Sequence, residues 1–456
     1  AAFKSNGFGV VAMREEKIPQ GYKKTEVGVI PDDWDMKRLK EISPSQSVGL
    51  VINPSSYYSN LGTVPMLVGS QIFENKIKWA TANKITVDSN SRLPASRLNQ
   101  GDLVTVRVGD PGVTAVIPSE LDQSNCASMM IIRQSKAFDS YWLCFLMNSR
   151  VGRSQIESVQ YGTAQKQFNI VDAVDFLFPF PSKKEQTAIA TALSDVDALI
   201  CELEKIISKK QAIKTATMQQ LLTGKTRLPQ FALREDGTRK GSKQSGLGEI
   251  PEDWEVVNFG QCIKYVVDNR GKTPPLEIDG FPMLEVNAVF KQGKSPNIQK
   301  ATKFVSNVTY ENWFRDGHPQ RGDILVVTVG SAGETSLVEE EGYCIAQNLI
   351  SLRLHSSIDS DFVYYLTVCA PFKKQVEAVL MGAVQPSLKV PHLKKFSILL
   401  PASKHEQTAI ATILSDMDEE LQALEQRLGK TRQIKQGMMQ ELLTGKTRLL
   451  QGTVNT

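Results

Sequence analysis

At 456 residues, with 41% hydrophobic and 22% charged residues, the chain is too long for one ordinary core and has the composition of a globular protein of two or more domains. Lysine and arginine number 53 against 49 aspartates and glutamates, which permits an acidic partner but excludes a strongly basic electrostatic binder. The six cysteines are scattered without a CxxC pair, and no apolar run reaches the roughly 18 residues that span a bilayer. We therefore expect a reduced, cytoplasmic protein without a membrane partner.

Composition and internal similarity divide the chain into seven segments. In chain order we predict an N-terminal extension (1–20), a first variable domain (21–181), a first helix (182–228), a linker (229–247), a second variable domain (248–401), a second helix (402–449) and a C-terminal tail (450–456).

The two halves repeat one plan. VIPDDWDM at 29–36 returns as EIPEDWEV at 249–256, and KEQTAIATALSDVD at 184–197 returns as HEQTAIATILSDMD at 405–418. GDLVTVRVGDPG (101–112) and LLTGKTRL (221–228) have partners at the same distance of 220 or 221 residues. Matches at one fixed offset indicate a tandem duplication.

Each variable domain shows an α/β pattern. Strand-like runs occupy 102–108, 127–133, 323–329 and 345–354, and a helix is predicted around 140–158 and again at 360–379. Trp34 and Trp254 each follow a proline and two acidic residues, and we interpret them as packing anchors.

The two repeated helices carry apolar residues in alternating steps of three and four. This seam consists of Leu193, Val196, Ile200, Leu203, Ile207, Leu414, Met417, Leu421, Leu424 and Leu428. We expect it to continue through Ile213, Met218 and Leu221 on the first helix and through Ile434, Met438 and Leu442 on the second. Such a seam predicts that the two helices pack together as a coiled coil of about 60 Å. The alternative is two separate amphipathic helices, each lying on its own domain.

The repeated GKT is not a phosphate-binding loop. That motif needs a glycine five positions earlier, where this chain has Gln219 and Gln440, and it needs the helix to follow. Here the helix precedes the glycine. We therefore interpret Gly224 and Gly445 as helix stops.

No candidate catalytic motif occurs in both halves of the chain. Asp32, Asp35 and Lys37 resemble a nuclease motif, but their spacing is too tight for a metal site, and the second copy replaces the lysine by Val257. All four histidines lie in the second half. The sequence therefore argues against catalysis, a metal site or a cofactor site in this chain.

The combined motifs resemble the specificity subunit of type I restriction–modification systems. They are G-x-IP-x-DW-x-V before each domain, then EQ-x-AIA-x-x-LS-x-x-D and LLTGK-x-RL on each helix, and the resemblance covers about 21–449. It implies two α/β target-recognition domains at opposite ends of a long antiparallel two-helix coiled coil with pseudo-twofold symmetry. It implies a non-enzymatic subunit that binds double-stranded DNA and two methyltransferase subunits, with or without two restriction subunits. S-adenosylmethionine, ATP and Mg would then be bound by those partners.

The sequence specifies the DNA-contacting residues less closely than it specifies the fold. Gln165 and Gln385 lie in loops that both copies have, and glutamine can bond adenine through two hydrogen bonds; a glutamine that satisfies the backbone of a tight turn fits these positions equally well. Arg270, Lys272 and Thr273 resemble the Gly-Lys-Thr-Pro loops of the family, and the first copy has no basic equivalent. Phosphate candidates are Lys76, Lys78, Arg107, Lys166, Lys291 and Lys294.

Two other classes of function remain to be distinguished. A stand-alone nuclease or methyltransferase would show turnover when the purified chain is given a divalent metal or S-adenosylmethionine. A coiled-coil adaptor that binds only proteins would show no sequence-dependent retention of DNA.

Overall fold

The computed structural model describes residues 18–163, 165–381 and 387–449. The chain divides into two compact units. The first unit holds the described residues up to Glu204 and those from Arg427 onward, and the second runs from Lys205 to Gln426. Each repeated helix is therefore shared: its first part belongs to one unit and its last part to the other.

The described residues of the first unit up to Glu204 form thirteen strands and six α-helices, the last of which continues into the second unit, and the end of the last helix of the chain also belongs to the first unit. The strands are β1 (Tyr22–Thr25), β2 (Gly28–Pro31), β3 (Asp35–Arg38), β4 (Gln46–Val48), β5 (Val64–Leu67), β6 (Ile72–Phe73), β7 (Lys76–Ile77), β8 (Lys84–Ile85), β9 (Leu103–Val106), β10 (Thr114–Val116), β11 (Asn125–Cys126), β12 (Met129–Ile132) and β13 (Leu177–Phe180). The helices are α1 (Leu39–Ile42), α2 (Val87–Ser91), α3 (Ser140–Asn148), α4 (Arg150–Val159), α5 (Ile170–Ala173) and α6 (Lys183–Leu221).

The second unit repeats this order with fewer short strands. Its strands are β14 (Ser242–Ser245), β15 (Gly248–Pro251), β16 (Trp254–Asn258), β17 (Ile263–Val267), β18 (Phe281–Leu284), β19 (Lys303–Val305), β20 (Ile324–Val327), β21 (Thr335–Leu337), β22 (Cys344–Ile345), β23 (Leu349–Leu354) and β24 (Ser397–Pro401). Its helices are α7 (Asn307–Asn312), α8 (Ser360–Val368), α9 (Ala370–Leu380), α10 (Val390–Leu393) and α11 (Lys404–Leu442).

The two variable domains have the same sheet topology. An antiparallel four-stranded sheet has the order β10-β9-β12-β4 in the first domain and β21-β20-β23-β17 in the second. A smaller three-stranded sheet contains one parallel pair in each domain, β5 with β11 and β18 with β22. The predicted α/β character is confirmed. The runs predicted at 102–108, 127–133 and 323–329 each contain one shorter strand. The run predicted at 345–354 is wrong as a single strand, because it is divided between the end of β22 and β23, which lie in different sheets.

One further internal repeat becomes visible once the strands are aligned. Val-Pro-Met-Leu of β5 and Phe-Pro-Met-Leu of β18 occupy the same place in the smaller sheet, at an offset of 217 rather than 220. The shift arises because the loop preceding this strand differs in length between the domains. The two variable domains therefore share more structure than the short repeated motifs in the sequence indicate.

The single helix predicted around 140–158, and again at 360–379, is wrong. Each is two helices, with a break at Ser149 and at Cys369, where the backbone is extended. In the first domain Gly152 follows the break, and a Cβ on it would lie 2.3 Å from the Met147 carbonyl oxygen. In the second domain a proline in the first turn of α9 starts the new helix.

The repeated helices α6 and α11 have 39 residues each, which corresponds to roughly 58 Å. Both end three residues before a glycine with a left-handed backbone, Gly224 with φ +69° and Gly445 with φ +70°. The prediction that these glycines end the helices is confirmed. A Cβ on either would lie 2.5 Å from a ring carbon of Pro251 or Pro31.

Within each unit, the start of one repeated helix lies antiparallel to the end of the other. In the first unit Lys435 pairs with Asp197 at 2.5 Å and Arg432 pairs with Glu204 at 2.6 Å. In the second unit Lys210 pairs with Glu420 at 2.7 Å, and Lys214 pairs with Asp418. As the residue number rises on one helix, the number of the partner falls on the other.

All ten predicted seam residues are buried or half-buried. Leu193, Leu203, Leu414 and Leu421 are at most 5% exposed. The predicted continuation is confirmed at Leu221 and Leu442, which are 5% and 4% exposed, and at the half-buried Met218 and Met438. It is wrong at Ile213, which is 42% exposed, and at Ile434, which is 50% exposed. The three-four spacing leads instead to Lys214 and Lys435, whose side chains are 14% and 15% exposed. Their aliphatic stems lie inward while their ammonium groups reach aspartates of the other helix.

An arginine of the LLTGKTRL motif joins the other repeated motifs in each unit. Arg227 binds both oxygens of Asp253 and both oxygens of Glu406, at 2.7 to 3.1 Å. Arg448 binds Asp33 and Glu185 in the same way, at 2.6 to 3.0 Å. The adjacent Trp34 and Trp254 are 1% exposed, which confirms them as packing anchors. The motifs recur together because they form one contact, which we call the arginine clamp.

Candidate nucleic-acid interface

In the first domain, the loop after β9 meets the loop that precedes α5. The Gly109 N–H donates to the Lys166 carbonyl oxygen at 3.2 Å, and the Phe168 N–H donates to the Arg107 carbonyl oxygen at 3.3 Å. Arg107 Nε donates to the Phe168 carbonyl oxygen at 3.3 Å. Gln165 and Lys166 are exposed. Three predicted contact residues, Arg107, Gln165 and Lys166, are thus brought together.

Gly162 explains how this loop turns. Its φ is +94°, and a Cβ on it would lie 2.3 Å from the Gln165 carbonyl oxygen, so only glycine fits. The backbone of the turn is therefore closed by glycine and by strand-like bonds to Gln167. The Gln165 side chain is exposed at this turn.

The second domain joins its loops in the same way. The Thr328 N–H donates to the Asn348 carbonyl oxygen at 2.7 Å, and the Leu388 N–H donates to the Thr328 carbonyl oxygen at 2.8 Å. Val329 forms a bridge with Ser387, equivalent to that of Val108 with Gln167 in the first domain. The predicted contact Gln385 lies outside the described residues.

The basic turn of the second domain lies beside this junction. Asn269 is 3% exposed and holds the turn in place: its Nδ2 donates to the Gly317 carbonyl oxygen at 2.9 Å, and its Oδ1 accepts from the Asp316 N–H at 3.1 Å. Lys272 and Thr273 are exposed. Arg270 binds Asp268 through two hydrogen bonds of 2.6 and 2.7 Å, which lowers the pKa of that carboxyl group. Arg270 is therefore oriented by its own loop.

A cleft of about 370 Å³ opens between this turn and the segment after α7. Besides Asn269, Arg270 and Lys272, it is lined by Trp313 and Arg315. The Arg315 side chain is 70% exposed and donates to the Asp268 carbonyl oxygen at 3.0 Å. Cations beside an aromatic face suit phosphate contact and base stacking.

The sequence reasoning missed Trp313 and Arg315. They lie more than 40 positions from Arg270, and the first domain has Leu93 and Ala95 one offset of 220 earlier. Motifs repeated in both halves do not include these two residues. The sequence feature that could have indicated them is an aromatic and a basic residue close together in the variable part of the second copy.

The remaining predicted lysines lie on two corresponding loops. Lys76 and Lys78 are exposed on and after β7, and Lys78 Nζ lies 4.5 Å from the Phe73 ring centroid. Lys291 is exposed, with its Nζ 5.0 Å from the Phe290 ring centroid. These three side chains are free to approach an anion, since stacking on an aromatic ring leaves the ammonium group in solvent.

Lys294 has a different environment. Its side chain is 19% exposed, and its Nζ lies 2.6 Å from Asp361 and 3.4 Å from Ser415 on α11. Burial lowers its pKa, but the hydrogen bond and charge of Asp361 outweigh burial, so the pKa is raised. We interpret Lys294 as a tie between the second domain and its helix, and this position no longer favours a phosphate contact.

The described residues show no arrangement suited to metal or thiol chemistry. No group of three His, Cys, Asp or Glu side chains in these ranges is placed to hold a metal ion. Burial raises the pKa of Cys126 and Cys344 to about 12 and that of Cys262 to about 11, so these thiols stay protonated near neutral pH. Among the described helices, none is long and apolar enough to span a membrane. The surface offers hydrogen-bonding groups, cations and aromatic faces.

Comparison with known proteins places this arrangement in a family. The family model described as the type I restriction modification DNA specificity domain matches twice, at 31–215 and 251–436. The MjaX type I restriction enzyme specificity subunit of Methanocaldococcus jannaschii is 26% identical over 443 residues, which is 94% of this chain and 97% of that protein. The MjaVIII specificity subunit of the same organism is 25% identical over 433 residues, 92% and 94% of the two chains.

Two solved structures share the fold. The S subunit of the type I restriction–modification system from M. genitalium aligns with a TM-score of 0.55 and 15% identity, over 90% of this chain and 96% of that one. A chain from a structure of type I restriction–modification complex assembly aligns with a TM-score of 0.51 and 18% identity, over 92% and 99%. The chain therefore belongs to the family of type I restriction–modification specificity subunits, the non-catalytic components that recognise DNA in those complexes.

Proposed function

We propose that the two variable domains each read one half of a bipartite, asymmetric DNA target. The observation that carries this proposal is a common backbone with different side chains. In the first domain the end of β9 is hydrogen-bonded to the loop before α5, and in the second domain the end of β20 is hydrogen-bonded in the same way to the loop before α10. The side chains differ: Arg107 at the end of β9 stands where the second domain has Thr328, and the basic turn with Arg270 and Lys272 has no basic equivalent in the first domain. Phosphate contacts position a protein on DNA, while different contacts to base edges specify different sequences.

The repeated helices set the length of the unread spacer in this proposal. Their equal length of 39 residues and the antiparallel ion pairs within each unit support a coiled coil related by a pseudo-twofold axis. Two domains at the ends of such a rod can meet major grooves of a duplex about 34 Å apart or at multiples of that distance. Buried lysines at the seam fix its register, because sliding by one turn would leave an ammonium group without its aspartate.

The catalytic partners complete the function. We propose that this chain binds two methyltransferase subunits, which bind S-adenosylmethionine, with or without two restriction subunits that use ATP and Mg. The family of the chain supports partners of this kind. The chain itself supplies sequence recognition and the geometry of the assembly.

Methylation mapping tests this function. The chain is co-expressed with the methyltransferase subunit encoded beside it, and the host DNA is sequenced for methylated bases. We expect one bipartite motif with two unlike halves and a fixed spacer, and a methyltransferase expressed alone should leave no such motif. A stable complex that methylates no defined motif would contradict the proposal.

A further inference from the structure

Two domains that read different sequences on one backbone should have positions where the backbone agrees and the side chain differs. The connection between the smaller sheet and an inner strand of the larger sheet is such a place, with two residues (127–128) in the first domain and three (346–348) in the second. In the first domain it contains Ser128 with φ +57°, just before β12. In the second domain it contains Gln347 with φ +60°, two residues before β23. Neither is glycine, although a left-handed backbone disfavours residues with a Cβ.

Gln347 is held at the centre of the loops described above. Its Nε2 donates to Thr273 Oγ1 of the basic turn at 2.9 Å. The next residue, Asn348, is bound through its carbonyl oxygen to Thr328 N–H at 2.7 Å, and Thr328 in turn accepts from Leu388. Thr328 and Ala346 are at most 3% exposed, so the backbone on both sides of Gln347 is anchored in the sheet. The side chain is half-buried. It is therefore oriented before any partner arrives.

The hydrogen-bonding groups of the Gln347 side chain limit which bases it can recognise. Thr273 takes one N–H of the amide, and among the described residues no donor reaches Oε1. One N–H and one acceptor remain, the pair that adenine requires at N7 and N6 in the major groove. The serine at the equivalent connection of the first domain cannot offer both groups in one plane. This connection would therefore present an adenine reader in the second domain only.

We infer that Gln347, oriented by Thr273, reads an adenine in the half-site of the second domain. This assignment rests on the proposed function, since it names one of the residues that gives the second domain its sequence preference. Arg270, Lys272 and Arg315 lie on the same side and contact the flanking phosphates.

The test uses the complete complex with the methyltransferase subunit and measures equilibrium competition by a panel of duplexes. Each duplex carries the methylated motif with one base pair changed. Gln347→Gly removes the side chain but suits the left-handed backbone, so the loop should keep its shape. Ser128→Gly is the matched control in the first domain. In Gln347→Glu the Thr273 hydroxyl can still donate, but the N–H that faces N7 is lost.

We expect Gln347→Gly to lose roughly tenfold or more of the discrimination at one adenine·thymine pair of one half-site, with every other position unchanged. Ser128→Gly should leave that position as it is. Gln347→Glu should move the preference there towards cytosine, whose N4 amino group donates to a carboxylate.

Two results would overturn the assignment. In one, Gln347→Gly discriminates as the unaltered complex does. In the other, its affinity falls equally for every duplex, as expected if the glutamine only supports the loop. Neither result would contradict the proposed function. That function would be contradicted only if the unaltered complex methylated no bipartite motif.

Discussion

Replacing Arg227 by methionine removes four hydrogen bonds while keeping most of the side-chain volume. Glu406, one of its two partners, is 3% exposed, and the arginine side chain itself is 10% exposed. The glutamate would be left buried without its counterion, which costs about 3–5 kcal/mol when one partner of a buried pair is removed. The second unit should lose that much free energy of unfolding.

The first unit offers a matched comparison. Arg448 makes the same four bonds, but its side chain is 33% exposed and that of Asp33 is 64% exposed. Water can therefore solvate the abandoned Asp33 carboxylate, while Glu185, whose side chain is 12% exposed, keeps the Trp34 Nε1 donor at 3.0 Å. We expect Arg448→Met to cost about 1–2 kcal/mol, the range for a charged hydrogen bond that is partly solvated.

Hydrogen exchange measured by mass spectrometry resolves the two units, which a single melting curve does not. Peptides around Arg227 and Glu406 should lose protection in Arg227→Met, by about 100-fold or more, while peptides of the first unit stay unchanged. Adding Glu406→Gln should recover most of the loss, because the buried charge is then gone. Equal losses in the two arginine variants would refute the argument from burial.

Three further outcomes follow from the helices and their ends. Gly224→Ala should destabilise the second unit more than Gly237→Ala in urea unfolding: both glycines have positive φ, but only at Gly224 would the Cβ meet another residue, 2.5 Å from Pro251. The hydrogen bond from Arg448 lowers the pKa of Asp33, so this carboxylate stabilises the first unit above its unfolded pKa, near 3.8, and the stability is lost as pH falls below that value through the folded pKa. Arg448→Met should therefore flatten the pH dependence of unfolding below about pH 4. One extra heptad in each of α6 and α11 should lengthen the methylated motif's spacer by about 10 Å, or roughly three base pairs, with both half-sites unchanged; an unchanged spacer would exclude the helices as the ruler.

The sequence predicted most of the shared structure because that structure is set by local patterns. Glycine with φ > 0 ends both helices, and the apolar spacing places the seam correctly from Leu193 to Ile207 and from Leu414 to Leu428. The pattern failed at Ile213 and Ile434, since the true seam there uses lysines that an apolar search ignores. The arginine clamp was also missed, because a contact between three motifs more than 20 residues apart has no local signal.

The candidate interface could be predicted only in part. Arg107, Gln165 and Lys166 were found because both copies keep that loop, and Arg270 and Lys272 because they resemble a family motif. Gln347 meets the basic turn because it lies between β22, which pairs with β18, and β23, which pairs with β20, and Trp313 lines the cleft beside that turn from the segment after α7. Side-chain geometry of this kind follows from tertiary contacts, and a sequence pattern does not contain it.

Independent reading by two domains on one helical frame is tested most directly by a domain exchange. Residues 30–180 are replaced by the matching segment of a family member with a different target, and the methylated motif is mapped in cells with the same methyltransferase subunit. The account predicts that one half-site changes to that of the donor, while the other half-site and the spacer stay the same. A change in both half-sites, or in neither, would contradict it.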